Sequence, residues 1–179
     1  MKLHKLFCMM IGILSICLIT SCSSPDYVHY KEDSPPWLIE MKNHKGLTEL
    51  PGKKVQKQIA RGFELCGLSE DMWDDNGLGW CSAFLNYILI EKCGLKGTRN
   101  AKANSFLTYG ARVGLKKGAI GIFKTGSQYH VAVIESWRKT DQGILITCWG
   151  GNQTNEVRPT EYPSKDLIDT RWPTTEQVL

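Results

Sequence analysis

GLGWCSAFLNYILIEKCG, residues 77–94, changes character at Trp80-Cys81. Glycines open it as a loop. From Phe84 onward the apolar residues Phe84, Leu85, Ile88 and Leu89 recur at the i, i+1, i+4, i+5 spacing of one buried helix face. Gly94 stands where a glycine ends a helix. Cys81 therefore falls in the first turn, where free backbone N–H groups and the helix dipole favour an anion. A thiol there is expected to lose its proton more easily.

Outward from this helix the pattern is helical on the N-terminal side and alternating on the other. A short helix is expected over Trp37–Lys45, with Pro36 near its first position, and a second over Val55–Cys66 ahead of Gly67. A fourth spans Ala101–Tyr109 and stops at Gly110. Beyond it Ala119–Lys124, His130–Trp137 and Gly143–Trp149 read as strands separated by turn residues, with Arg171-Trp172-Pro173 as a last short strand. Helices first and antiparallel strands second predict an α+β domain, helices packed on one sheet, over residues 36–175.

The first 21 residues are read apart from that domain. Lys2 and Lys5 precede an apolar run, Leu6–Ile19, too short for a comfortable membrane span. The segment closes Ile19-Thr20-Ser21-Cys22 and resembles the lipobox of bacterial lipoprotein signal peptides. That resemblance implies cleavage after residue 21, acylation of Cys22, and a membrane attachment through the lipid. Residues 22–35, polar and proline-containing, are expected to be a tether. Ser23, where an aspartate commonly retains such proteins in the inner membrane, favours the outer membrane of a Gram-negative cell.

The formal charge of +4 falls to +2 once Lys2 and Lys5 are removed. That is too slight for a nucleic-acid partner, and no basic stripe with interleaved aromatics occurs. Cys66, Cys81, Cys93 and Cys148 remain in the mature chain. If Cys81 stays free, a Cys66–Cys93 bridge is the most plausible pairing in an oxidising envelope. The loop Asp71–Asn76, DMWDDN, could offer oxygens to calcium but lacks the complete EF-hand spacing, and reads rather as a solvated turn. No cofactor or metal is expected.

Of the mature chain's histidines, His29 lies in the tether, His44 near the end of the first helix, and His130 opens a core strand. A hairpin centred near Thr140-Asp141 would set His130 opposite roughly Gly151, beside Asn152. These are the parts of a Cys–His–polar triad. Cys81 would attack a carbonyl carbon, and His130 would accept the thiol proton and later protonate the leaving amine. Asn152 would fix the imidazole tautomer, and backbone N–H groups at the helix start would hold the oxyanion. Gly150-Gly151 would let a substrate chain come close. Glu135, odd-numbered from His130 along the same strand, is expected on the opposite face.

Trp80-Cys81-Ser82-Ala83-Phe84, Gly97-Thr98 with Ala101 and Ala103, His130-Val131, and Gly150-Gly151-Asn152-Gln153 ahead of Arg171-Trp172-Pro173 resemble a papain-like peptidoglycan hydrolase family related to the CHAP and NlpC/P60 amidases and peptidases. The resemblance begins at Pro36-Trp37-Leu38, includes Glu49-Leu50-Pro51-Gly52 and runs to Pro173. It implies a papain-like fold and a cysteine hydrolase that cuts amide bonds in cell-wall peptides. By matching positions it carries the nucleophile to Cys81, the base to His130 and the third role to Asn152. Trp80, Tyr129, Gly150, Gly151 and Gln153 are expected around the substrate. The chain departs from the pattern at Tyr129, where a glycine often precedes the histidine, and at Gly150, where CHAP relatives often carry a glutamate. Two other classes are compatible with the residues: a catalytically silent wall-binding or adaptor lipoprotein, and a zinc site built from Cys81, Cys148 and His130, the last without the close ligand pairs such sites usually show.

Overall fold

The computed structural model describes residues 34–49, 56–73 and 78–179. The expected signal segment, Cys22 and the expected tether up to residue 33 lie outside the described residues, as do residues 74–76 of the Asp71–Asn76 loop, whose first three residues belong to a helix. Among the described residues no helix is long and apolar enough to cross a membrane.

The domain is α+β with one antiparallel sheet. Four helices, α1 (Pro36–Asn43), α2 (Lys57–Leu65), α3 (Glu70–Trp73) and α4 (Cys81–Tyr87), precede the strands. The strands are β1 (Ala111–Arg112), β2 (Ile120–Thr125), β3 (Gln128–Thr140), β4 (Gly143–Gly150), β5 (Arg158–Pro163) and β6 (Leu167–Trp172), in the spatial order β1-β6-β2-β3-β4-β5. The expected fourth helix is a 3₁₀ segment, Ala103–Thr108. The helix begun at Cys81 turns into a π-helix over Ile88–Lys92. Gly94, at φ +64°, then takes the left-handed position that ends it. Leu95 N–H returns to the Leu89 carbonyl at 2.9 Å.

α4 is the pivot because its faces are buried on several sides. Phe84, Leu85, Ile88 and Leu89, picked out by their spacing, are wholly buried, and each such side chain contributes about 1.5–3 kcal/mol of burial. α2 crosses it at Gly62, where a Cβ would stand 2.4 Å from the Ala83 carbonyl oxygen, so only glycine permits the approach. α1 is pinned to the sheet by the Trp37 indole, whose Nε1 donates to the Gly118 carbonyl at 2.7 Å and whose ring meets Trp172 edge-on at 5.1 Å.

The sheet is strongly curled. Phe123 of β2 and Tyr162 of β5 stack with ring centroids 4.5 Å apart although β3 and β4 run between their strands. Flat strands at ordinary spacing would hold them about 14 Å apart. The β3–β4 pairing also differs from the expected register. The turn centres on Asp141-Gln142, since Thr140 pairs with Gly143, and a bulge at Glu135 shifts the ladder so that Ile134 faces Cys148. The last pair is Val133 with Trp149. His130 therefore pairs with Phe123 of β2 and with nothing on β4, which correctly replaces the expected placement opposite Gly151.

Candidate active site

Cys81 is the first residue of α4, as its spacing predicts, and is 6% exposed. The backbone N–H groups of Val131, Ser82 and Cys81 itself bear on its sulfur and favour the thiolate. Val131 follows His130 on β3, so the packing of α4 on that strand brings the Cys81 thiol to the backbone next to the histidine. Burial nevertheless dominates. The Cys81 thiol is raised above its ordinary value, against the expectation that the helix start would acidify it. The same desolvation pushes His130 down to about 4, with only the Gln153 side chain raising it. At neutral pH the two groups are a neutral thiol and a neutral imidazole.

The His130 ring is partly buried, and its Nε2 is sealed from solvent without a hydrogen-bond partner. It lies nearly parallel to the Tyr162 ring, 5.5 Å between centroids and 26° between planes. Tyr162 O–H donates to Gln153 Oε1 at 2.7 Å, and Gln153 Nε2 donates to the carbonyls of Cys148 (3.3 Å) and Arg158. Burial raises the Tyr162 hydroxyl, and the nearby thiols of Cys148 and Cys81 raise it further. His130, Tyr162 and Gln153 thus form one connected cluster, with the Cys81 thiol near enough to act on the Tyr162 hydroxyl.

The turn Gly151–Asn155 between β4 and β5 is sharply kinked, with Asn152, Thr154 and Asn155 all at φ near +58°. Trp80 closes over it. A Cβ on Gly151 would fall 2.4 Å from the Trp80 ring, and the Trp80 indole N–H reaches Asn155 Oδ1 at 3.3 Å. Trp80, Gly150, Gly151 and Gln153, expected around a substrate, are buried and engaged with the protein. Tyr129 is half-buried, with the Lys124 ammonium 5.3 Å from its ring centre. The Asn152 amide nitrogen faces Gly79, in the approach to Cys81, at 3.4 Å from where a Cβ there would stand. Glu135 is committed elsewhere: it accepts from the Trp149 indole at 2.7 Å and from Lys42.

Behind Cys81 the helix is locked by its polar residues. Ser82 Oγ donates to the Asn100 carbonyl at 2.7 Å. The wholly buried Asn86 donates to the Ser82 carbonyl (3.0 Å) and Thr98 Oγ1 (3.1 Å), and accepts from the Arg99 N–H (2.8 Å). A Cβ on Gly97 would strike Asn86 Oδ1, which accounts for glycine there. A separate concavity of ≈ 560 Å³ lined by Lys96, Thr98, Asn100, Ser105, Thr108 and Gln177 includes none of the Cys81–His130 cluster.

Cys66 and Cys93 are unpaired, so the expected bridge does not form, and burial raises their thiols to about 11 and about 12. Among the described residues no group of three or more His, Cys, Asp or Glu side chains is placed to hold a metal ion, Cys81, Cys148 and His130 included. Reading the sequence missed Tyr162, because Arg158–Pro163, RPTEYP, carries two prolines and does not look like a strand. β5 lies at the sheet edge, where proline is tolerated, and that exception is the signal that could have found it.

No protein-family model matches the chain, and neither the curated proteins nor the solved structures contain a match.

Proposed function

We propose that the chain is a lipid-anchored, papain-like cysteine hydrolase of the cell envelope that cleaves amide bonds in peptidoglycan stem peptides. One observation carries the reading: the thiol at the start of α4 is bedded against the backbone N–H of Val131, next to the histidine. In the mechanism, His130 takes the proton of Cys81 as the sulfur attacks the carbonyl carbon. The C–S bond forms as the carbonyl π-bond opens, and the N–H groups of Val131, Ser82 and Cys81 stabilise the negative charge near the sulfur. The imidazolium then protonates the departing amine, and water releases the acyl group by the same route. A neutral pair is a workable resting state, because the proton passes from sulfur to imidazole as the C–S bond forms and no free thiolate is needed beforehand. Cys22 would carry the lipid, keeping the domain beside the wall on a tether.

The directions of the two titrations favour a second reading. A raised thiol and a lowered imidazole are what a silent wall-binding or adaptor lipoprotein with this fold would also show. Incubating purified peptidoglycan with the protein and with Cys81→Ala, then weighing the soluble products by mass spectrometry, separates the two. New fragments from the unaltered protein alone are expected, and their masses identify the bond. Intact wall in both samples, with the protein sedimenting alongside it, would overturn the hydrolase in favour of the binder.

A further inference from the structure

The amide of Gln153 has a fixed orientation. Both of its N–H donors are taken by main-chain carbonyls, those of Cys148 and Arg158, so a flipped amide would set oxygen against oxygen. Its Oε1 must therefore be the atom turned into the cluster. One lone pair accepts the Tyr162 hydroxyl at 2.7 Å, and the second is left for another donor. His130 supplies the complementary need, with Nε2 buried and unpartnered. Gln153 also acts on the ring as an acceptor does, favouring its protonated form. Tyr162 holds this arrangement from two sides, by its hydroxyl on Gln153 and by its ring, which lies along the imidazole and is itself stacked on Phe123. Asn152 has its amide nitrogen at Gly79 instead, 3.4 Å from where a Cβ there would stand.

We infer that Gln153 and Tyr162, rather than Asn152, are the positioning pair for His130: Gln153 Oε1 receives the proton on Nε2, Tyr162 holds Gln153 and the ring plane, and Nδ1 is left as the base that serves Cys81. The catalytic consequence rests on the hydrolase reading, whereas the tautomer does not. Asn152 is then released to face the approach to the nucleophile.

The test is ¹⁵N nuclear magnetic resonance of His130 in the whole protein, across pH, for the unaltered chain, Gln153→Leu, Asn152→Ala and Tyr162→Phe. The unaltered chain is expected to hold the proton on Nε2. Gln153→Leu removes the acceptor, so both tautomers should be populated, whereas Asn152→Ala should leave the single Nε2–H tautomer. Tyr162→Phe keeps the stacked ring and the two main-chain anchors of the amide but takes the hydroxyl from Oε1, so Nε2–H should remain the main tautomer with a measurable share of Nδ1–H. A proton on Nδ1 in the unaltered chain, an unchanged single tautomer in Gln153→Leu, or a mixture in Asn152→Ala overturns the inference, and an unchanged single tautomer in Tyr162→Phe removes Tyr162 from the pair. If the wall assay shows cleavage, Gln153→Leu should lower kcat by about 10-fold or more at similar KM, because much of the imidazole then carries its proton on the wrong nitrogen. If the wall stays intact, the hydrolase reading fails while the tautomer result still decides the positioning pair.

Discussion

Asn86 shows how much of the site depends on a residue that takes no part in its chemistry. It lies one helical turn beyond Ser82 and ties α4 to the loop through Thr98, Arg99 and Asn100. Arg99 sits at φ +51°, a conformation such a residue adopts only when its surroundings demand it. Replacing Asn86 by Ala leaves the Arg99 N–H and the Ser82 carbonyl without their side-chain partner inside the protein, and is expected to cost about 1–3 kcal/mol. Urea unfolding measures that directly. A loss well below this range would mean that the loop finds other partners and that the knot around Asn86 does not hold it. Asn86 was visible in the sequence only as a polar break in an apolar helix face. Its role needed the loop's position, which no local pattern carries.

At the level of elements, the crossing of α2 over α4 meets the latter helix at Ala83, two residues from Cys81. Gly62→Ala would place a methyl group 2.4 Å from a backbone oxygen of Ala83, and neither helix has a flexible side chain that could give way. Overpacking of this kind typically costs about 1–3 kcal/mol, to be read as a lowered denaturation midpoint. It should also move the backbone amide resonances of Cys81 and Ser82 more than those of β5. Equal disturbance of both would argue that the strain spreads through the core instead of staying at the crossing. α1, α2, the start of α4 and strands β2 to β4 were legible because each repeats at its own period. β1, with two residues, has too little period to recognise, and β5 hides behind its prolines. The histidine's partner was misplaced for a related reason. The hairpin was counted as regular, and the extra residue at Glu135 leaves no trace in composition.

Over the whole molecule, buried titratable groups give stability a defined pH window. His130 binds its proton at about 4 in the native state against 6.5 ordinarily. Between those values the unfolded chain holds a proton that the native chain does not, so stability falls as pH drops and is fully present above 6.5. The loss is on the order of 3 kcal/mol, from about 1.4 kcal/mol per unit. The thiols act at the other end. Cys66 and Cys93, at about 11 and about 12, keep protons that the unfolded chain releases from 9 upward, so stability falls again with rising pH. Urea midpoints measured from pH 4 to 10 should show a plateau between 6.5 and 9, and His130→Phe should flatten the acid side. A midpoint that stays level down to pH 4 would contradict the burial of the imidazole.

The extra residue in β3 divides that long strand into two mechanical parts. From Gln128 to Ile134 the strand is fixed by β2 and by the cluster around His130. Past Ser136 it pairs with β4 alone, in a hairpin that β5 flanks as far as Leu145, with Trp137 exposed and the Arg138 guanidinium reaching over to Glu161. Because the slip at Glu135 already absorbs a change of phase, the hairpin end around Asp141-Gln142 is where this scaffold can be lengthened. A reporter peptide or a second domain spliced in there would ride on the hairpin tip and leave the thiol and imidazole undisturbed.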